Sequence, residues 1–222
     1  MIEPVSQRIA ESIREEILAG KFKPGTRISQ DDVADRFKTS RSPVREAFRI
    51  LEAGGLITLI AHTGAWVTEL TLNECEEMYQ IRERIEPLML RLSIPHLTEA
   101  HIEMLERYLE LMEKNTDVEK FLKLDRDFHL LTYAGASTAL LGDTVQRLWN
   151  TTQHYRRAYS TLLAQENFTS AHYEHHLLLT AIKRQDLDDG ERVLYGHIRR
   201  TRLEVGKKPE LLKFKDRKST RL

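Results

Sequence analysis

Val5, Ile9, Ile13 and Ile17 recur at steps of four, and Gly20 follows them. That spacing predicts a helix with one apolar face, ended by a residue that accepts the left-handed conformation. "KFKPGTRI" then supplies turn chemistry at Pro24-Gly25, and Ser29, with an acid three residues on, opens a short helix over Val33, Ala34 and Phe37. A third helix carries Val44, Ala47, Phe48 and Leu51 at i, i+3, i+4 and i+7, with Ser40 or Ser42 as its cap and Pro43 in its first turn. "EAGGL" stops it. "LITLIAHTGAWVTEL" reads as two short β runs joined through His62-Thr63-Gly64.

From Thr71 the periodicity is helical throughout. Thr71 with Glu74 opens a helix running to about Ser93. Further helices are expected over 98–114, 117–134, 138–165, 170–184 and 187–205, with starts marked by Thr98, Asp117, Ser137 and Asp186. The pattern as a whole predicts a mainly α chain in three parts. Residues 1–70 form a winged helix-turn-helix of three helices and a β-hairpin wing. Residues 71–206 form an all-α antiparallel bundle of about six helices, and 207–222 a basic tail.

Composition narrows the setting. The chain is 41% hydrophobic and 31% charged, as expected of a protein that buries a core in water. No apolar run approaches the roughly 20 residues needed to span a bilayer, so no membrane partner is expected. The start lacks the apolar stretch of a secretory signal, and Cys75 is the single cysteine, which fits a reducing, cytoplasmic location. Thirty-four basic residues meet 34 acidic ones. Zero net charge does not exclude nucleic acid, because DNA binding needs only a local basic face.

Such a face exists. Arg41, Arg45 and Arg49 descend the side of the third helix opposite its apolar stripe. A wet face paired with Glu46 or Glu52 is the plain reading. Against it, the arginine fork matches guanine O6 and N7, and a helix offering such side chains after a short helix and a tight turn has the geometry that enters a major groove. Ser40 and Ser42 have hydroxyls for phosphates, and Thr63-Gly64 at the wing tip lets backbone approach DNA. The pieces "GKFKPG", "SRSPVREAFRILEAGGLI" and "HTGAWV" resemble the DNA-binding domain of the GntR family of bacterial transcriptional regulators across nearly all of residues 10–68. The resemblance implies base contacts from Arg41 and Arg45, a base or phosphate contact from Arg49, and phosphate or groove contacts from Ser40, Ser42 and the wing turn. Several members have an arginine or glutamate at the start of the second helix, where this chain has "QDD". No phosphate contact is therefore expected from Asp31, and Arg36 is the nearer candidate.

Histidines carry the second chemical signal. "LDRDFHLL" sets Asp125 and His129 one turn apart on one helical face; "HYEHHLLLTAI" offers His172, His175 and His176; "YGHIRR" offers His197. A carboxylate with three imidazoles suits zinc, nickel or another late first-row ion. Spacing alone leaves His172 with His176 open as an alternative pair. The stretches "EMYQIRERIEPLMLRL", "LDRDFHLL", "EHHLLLTAI" and "YGHI" resemble the all-helical ligand-binding (FCD) domain of the FadR-like branch of the same family. That resemblance implies a divalent metal, zinc or nickel, on Asp125, His129, His175 and His197. It also implies that Arg82 turns inward to a carboxylate effector. From the residues themselves, Arg82 is a surface i, i+4 partner of Glu86, while Met78 and Tyr79 are packing residues.

The expected protein is a homodimeric regulator, not an enzyme. It is a repressor on a palindromic operator in double-stranded DNA, controlled by a small organic acid. A metal-dependent hydrolase is a distant alternative, weakened by the lack of an identifiable general base. A DNA-binding dimer without effector control is the other.

Overall fold

Ile9, Ala10, Ile13 and Ile17 bury one face of α1 (Val5–Leu18), while Val5, expected on that stripe, is exposed. The helix ends as its sequence predicts. Gly20 takes φ +74°, and Lys21 N–H reaches back to Glu16 O at 2.9 Å, closing the left-handed cap. A computed structural model describes residues 3–61 and 63–207. The expected tail lies outside the described residues apart from Lys207, as does His62 of the wing turn.

Ser29 caps α2 (Gln30–Arg36) by accepting Asp32 N–H at 3.2 Å. α3 (Arg41–Ala53) begins at Ser40, whose side chain makes no capping bond, and buries Val44, Ala47, Phe48 and Leu51. β2 (Ile57–Ile60) and β3 (Gly64–Val67) form the expected hairpin, with Ile57 opposite Val67 and Ile60 opposite Gly64. A third strand, β1 (Arg27–Ile28), pairs with the other edge of β3. Two residues are too few to show periodicity, and pairing with β3 decides their state. The apolar faces of these elements meet in one core, where each fully buried Ile or Leu contributes about 1.5–3 kcal/mol.

This first unit runs to Thr71 and also takes in residues 146–154. Asn150 Nδ2 donates to Gly54 O at 2.9 Å and Thr151 Oγ1 to Gly55 O at 3.1 Å, just past the end of α3. Gly55 has φ +75°, and a Cβ there would meet Thr151 Oγ1 at 2.4 Å, so only glycine fits.

The second unit, described over residues 72–145 and 155–207, is helical. It contains α4 (Leu72–Ser93), α5 (Glu99–Glu113), α6 (Val118–Thr132), most of α7 (Ala139–Thr151) and of α8 (Gln153–Leu163), α9 (Thr169–Lys183) and α10 (Leu187–Gly206). Thr98, Asp117 and Asp186 cap α5, α6 and α10, each accepting the backbone N–H three residues on. α10 packs along α4 and α9, and α5 packs on α6 and α9. The single helix expected over 138–165 is two, broken at Thr152, so the described helices after Thr71 number seven rather than about six. Thr151 and Thr152 turn their hydroxyls back onto Arg147 O (2.9 Å) and Leu148 O (2.7 Å), a bonding pattern that bends helices. Among the described residues no helix is long and apolar enough to cross a membrane.

Candidate functional site

The buried stripe of α3 fixes which residues face water. Arg41, Ser42, Arg45 and Arg49 are all exposed. Arg41 forks onto Asp31 (Nε–Oδ1 2.6 Å, Nη2–Oδ2 2.9 Å), and Arg49 reaches Glu46 at 3.3 Å. Arg45 has no ion-pair partner among the described residues. Exposed pairs of this kind contribute about 0–1 kcal/mol, so Arg41 and Arg49 are held only weakly by these partners.

Arg36 is engaged differently. Both its terminal nitrogens bond Glu16 at 2.8 Å and its guanidinium lies 5.1 Å over the Phe37 ring, tying α2 to α1. At the wing, Thr63 Oγ1 accepts Trp66 Nε1–H at 3.1 Å and donates to Ile60 O at 3.3 Å, so it braces the turn. Gly64 has φ +108°. The exposed Arg27 guanidinium sits 3.6–3.8 Å from where a Gly64 Cβ would be. Arg27 was invisible as a wing residue in the sequence, because β1 was.

In the helical unit, Asp125 and His129 project together from α6 to meet His175 of α9 and His197 of α10. One ligand atom from each lies within 4.8 Å of the others. His175 Nε2 is 3.1 Å from Asp125 Oδ1 and 3.2 Å from His129 Nε2, and His129 Nε2 is 3.7 Å from the same oxygen. The three rings sit 4.9–5.2 Å apart, centroid to centroid. Burial holds all three imidazoles below the usual histidine range, against the pull of Asp125, which favours their neutral, ligating form. His197 Nδ1 is 2.6 Å from Glu174 Oε2, and an Nδ1–H donated there leaves the Nε2 lone pair free to ligate. Three neutral imidazoles and one carboxylate oxygen, converging at this spacing, fit a late first-row divalent cation.

His172 and His176 stand outside this set. His176 is exposed on Glu113 at 2.6 Å, and His172 lies edge-on to Phe121 and Phe168.

Two buried arginines border the centre. Arg156 on α8 pairs with Asp125 Oδ2, leaving Oδ1 toward the histidines. Burial works to raise the Asp125 carboxyl, but Arg156 and the His175 hydrogen bond outweigh it and hold the group well below the usual carboxylate range. Arg82 does make the i, i+4 pair with Glu86, at 2.5 Å, but inside the protein: the two are 3% and 0% exposed. Tyr133 OH donates to the same carboxylate at 2.8 Å, and the Arg82 guanidinium lies 4.9 Å over the Tyr79 ring. Arg156, Glu174 and Tyr133 escaped the sequence reading, and Glu86 entered it only as a surface partner of Arg82. Glu174 had a signal, as the acid directly before His175; Arg156 had none, since Asp125 lies 31 residues away on another helix.

Residues 5–67 match the bacterial regulatory proteins, gntR family. Residues 77–200 match the FCD domain. The chain is similar to the HTH-type transcriptional repressor RspR of Escherichia coli (strain K12), 29% identical over 200 residues spanning 88% of this chain and 86% of RspR. It is 30% identical to the gluconate operon transcriptional repressor of Bacillus subtilis (strain 168) over 189 residues, 81% of this chain and 76% of that one. Among solved structures, E. coli McbR/YncC aligns with a TM-score of 0.79 at 20% identity, covering 94% of this chain and 99% of its own, a likeness of fold.

Proposed function

Because the chain belongs to the GntR family of bacterial regulatory proteins and is a DNA-binding transcriptional regulator with an FCD domain, not an enzyme, we propose that it is a cytoplasmic, homodimeric repressor. In this reading a small organic acid, bound beside a divalent metal in the helical unit, controls its grip on a palindromic operator. The observation that carries the effector reading is the convergence of Asp125, His129, His175 and His197.

On DNA, α3 enters the major groove and Arg45 offers its fork to a base, with Arg41 and Arg49 joining as they leave Asp31 and Glu46. Ser40 and Ser42 donate hydroxyls to phosphates, and Thr63-Gly64 brings the wing backbone close, with Arg27 beside it. Arg36 reaches a phosphate only by leaving Glu16, which makes it the weakest member of the set. A second copy is expected along α4, where Ile81, Leu88 and Leu92 lie on one face and are 43%, 45% and 41% exposed. Twofold symmetry of the pair is then mirrored in the two half-sites.

Asp125, His129, His175 and His197 would hold the ion, zinc or nickel. When bound, such an ion supplies a Lewis-acidic anchor for a carboxylate. The rest is done by the chain's own groups. Glu174 fixes the His197 ring, Arg156 turns Asp125 so that one oxygen faces the histidines, and Arg82 offers a guanidinium to the acid. α8 gives the signal a route: its first residues belong to the unit that contains α3, and Arg156 follows within a turn.

Metal analysis of purified protein tests the centre. Wild type is expected to retain about one equivalent, and His175→Ala and His197→Ala well below one, with the helical circular dichroism unchanged. Full retention by both variants would contradict the assignment.

A further inference from the structure

The Tyr79 hydroxyl is buried and has no hydrogen-bond partner among the described residues. Burial pushes its pKa above the usual tyrosine range, so it remains a donor. Left unmet, such a group costs stability, which is tolerated where a ligand will meet it. Tyr79 carries the Arg82 guanidinium over its ring, and both Arg82 and Arg156 act electrostatically on its oxygen. It therefore lies within reach of the charges around the histidine centre, and is more than the packing residue its sequence position suggested.

The charges themselves are informative. Arg82 pairs with Glu86 and Arg156 with Asp125, so these four groups sum to zero, and an imidazole that ligates a cation is neutral. Neighbouring acids are matched separately, Glu83 by Arg202 and Glu174 by Arg200. Arg126, next to Asp125 along α6, points about 100° away and acts on Asp127. Once a divalent cation is held, two positive charges are in excess in a water-poor interior, where uncompensated charge is expensive. A monocarboxylate removes one of them.

Building on the metal reading above, we propose that the effector is a small dianion of the dicarboxylate class, which binds only the metal-loaded chain and has one acidic group met by the Tyr79 hydroxyl together with Arg82. Arg156, already on Asp125, flanks the other acidic group. Tyr79 is then a specificity-determining residue. It hydrogen-bonds the second carboxylate, which a monocarboxylate lacks.

Calorimetric titration of zinc-loaded, full-length protein with malonate and succinate, against propionate and butyrate of the same chain lengths, tests this. Metal content is measured after each run, and chelator-treated protein serves as control. The better dicarboxylate is expected to bind at least about tenfold tighter than its monocarboxylate partner, a step typical of one added charge-assisted contact. It is expected not to bind the chelated chain. Tyr79→Phe, which keeps the ring and its packing, is expected to weaken the dicarboxylate about fivefold and leave the monocarboxylate unchanged. Equal affinity of the paired acids, or a Tyr79→Phe effect common to both, overturns the dianion assignment while the metal-and-acid reading stands. Failure of wild type to hold zinc, or of the loaded chain to bind any of the four acids, overturns that reading and this inference with it.

Discussion

Arginine serves opposite ends in the two units. On α3, Arg41, Arg45 and Arg49 stand in water, and the carboxylates that touch Arg41 and Arg49 are themselves exposed. In the helical unit, Arg82 and Arg156 are buried against Glu86 and Asp125. A guanidinium in water holds its partner weakly and can exchange it, as reading DNA requires. A buried one has traded hydration for its partner, and losing either leaves a stranded charge. The same side chain is therefore removable without harm to the fold on α3 and structural where Arg82 and Arg156 are buried.

The largest effect that would break this comparison is on stability. Arg82→Ala takes the buried guanidinium away from the buried Glu86 carboxylate, and a loss of about 3–5 kcal/mol is expected in chemical denaturation. Arg45→Ala, on an exposed helix face, should stay within about 0.5 kcal/mol of wild type. Similar losses for the two would erase the distinction. On DNA the ranking reverses. Arg45→Ala should weaken operator binding by about 1–3 kcal/mol per half-site, read by footprinting or anisotropy. An unchanged footprint would remove α3 from the major groove.

A smaller effect sharpens the picture through pH. Burial depresses all three imidazoles below the ordinary 6.5. Above that value they are neutral folded or unfolded, and their contribution to stability is complete. As pH falls from 6.5 toward the depressed folded values, the unfolded chain takes up protons that the folded chain does not, so stability declines. Denaturation midpoints of chelated protein should therefore drop across that window, and less so in His175→Ala. A flat profile would mean that the rings are not held neutral.

The exposed face was the easier one to read. Val44, Ala47, Phe48 and Leu51 set the inner side of α3 by spacing alone, which leaves the arginines on the outer side. The Asp125–His129 pair was legible for the same reason, being one turn of one helix. Spacing could not choose His175 over His176, since neighbours in sequence point about 100° apart and only the packing of α9 on α5 and α10 says which way is inward. Arg156 and the break at Thr152 were hidden because each depends on partners distant in sequence or on competing side-chain bonds. The attachment of residues 146–154 to the first unit has no local signature either: it rests on Asn150 and Thr151 meeting two glycines almost a hundred residues earlier.

The most direct test of the account is a titration of DNA from the protein's own upstream region with metal-loaded and chelated protein, each with and without the tightest-binding acid. Coupling through the Asp125/His129/His175/His197 centre predicts that the acid shifts operator affinity about five- to 150-fold in the loaded protein and not at all in the chelated one. A shift of equal size in both would contradict it, placing the acid, and control of the DNA-binding unit, away from that centre.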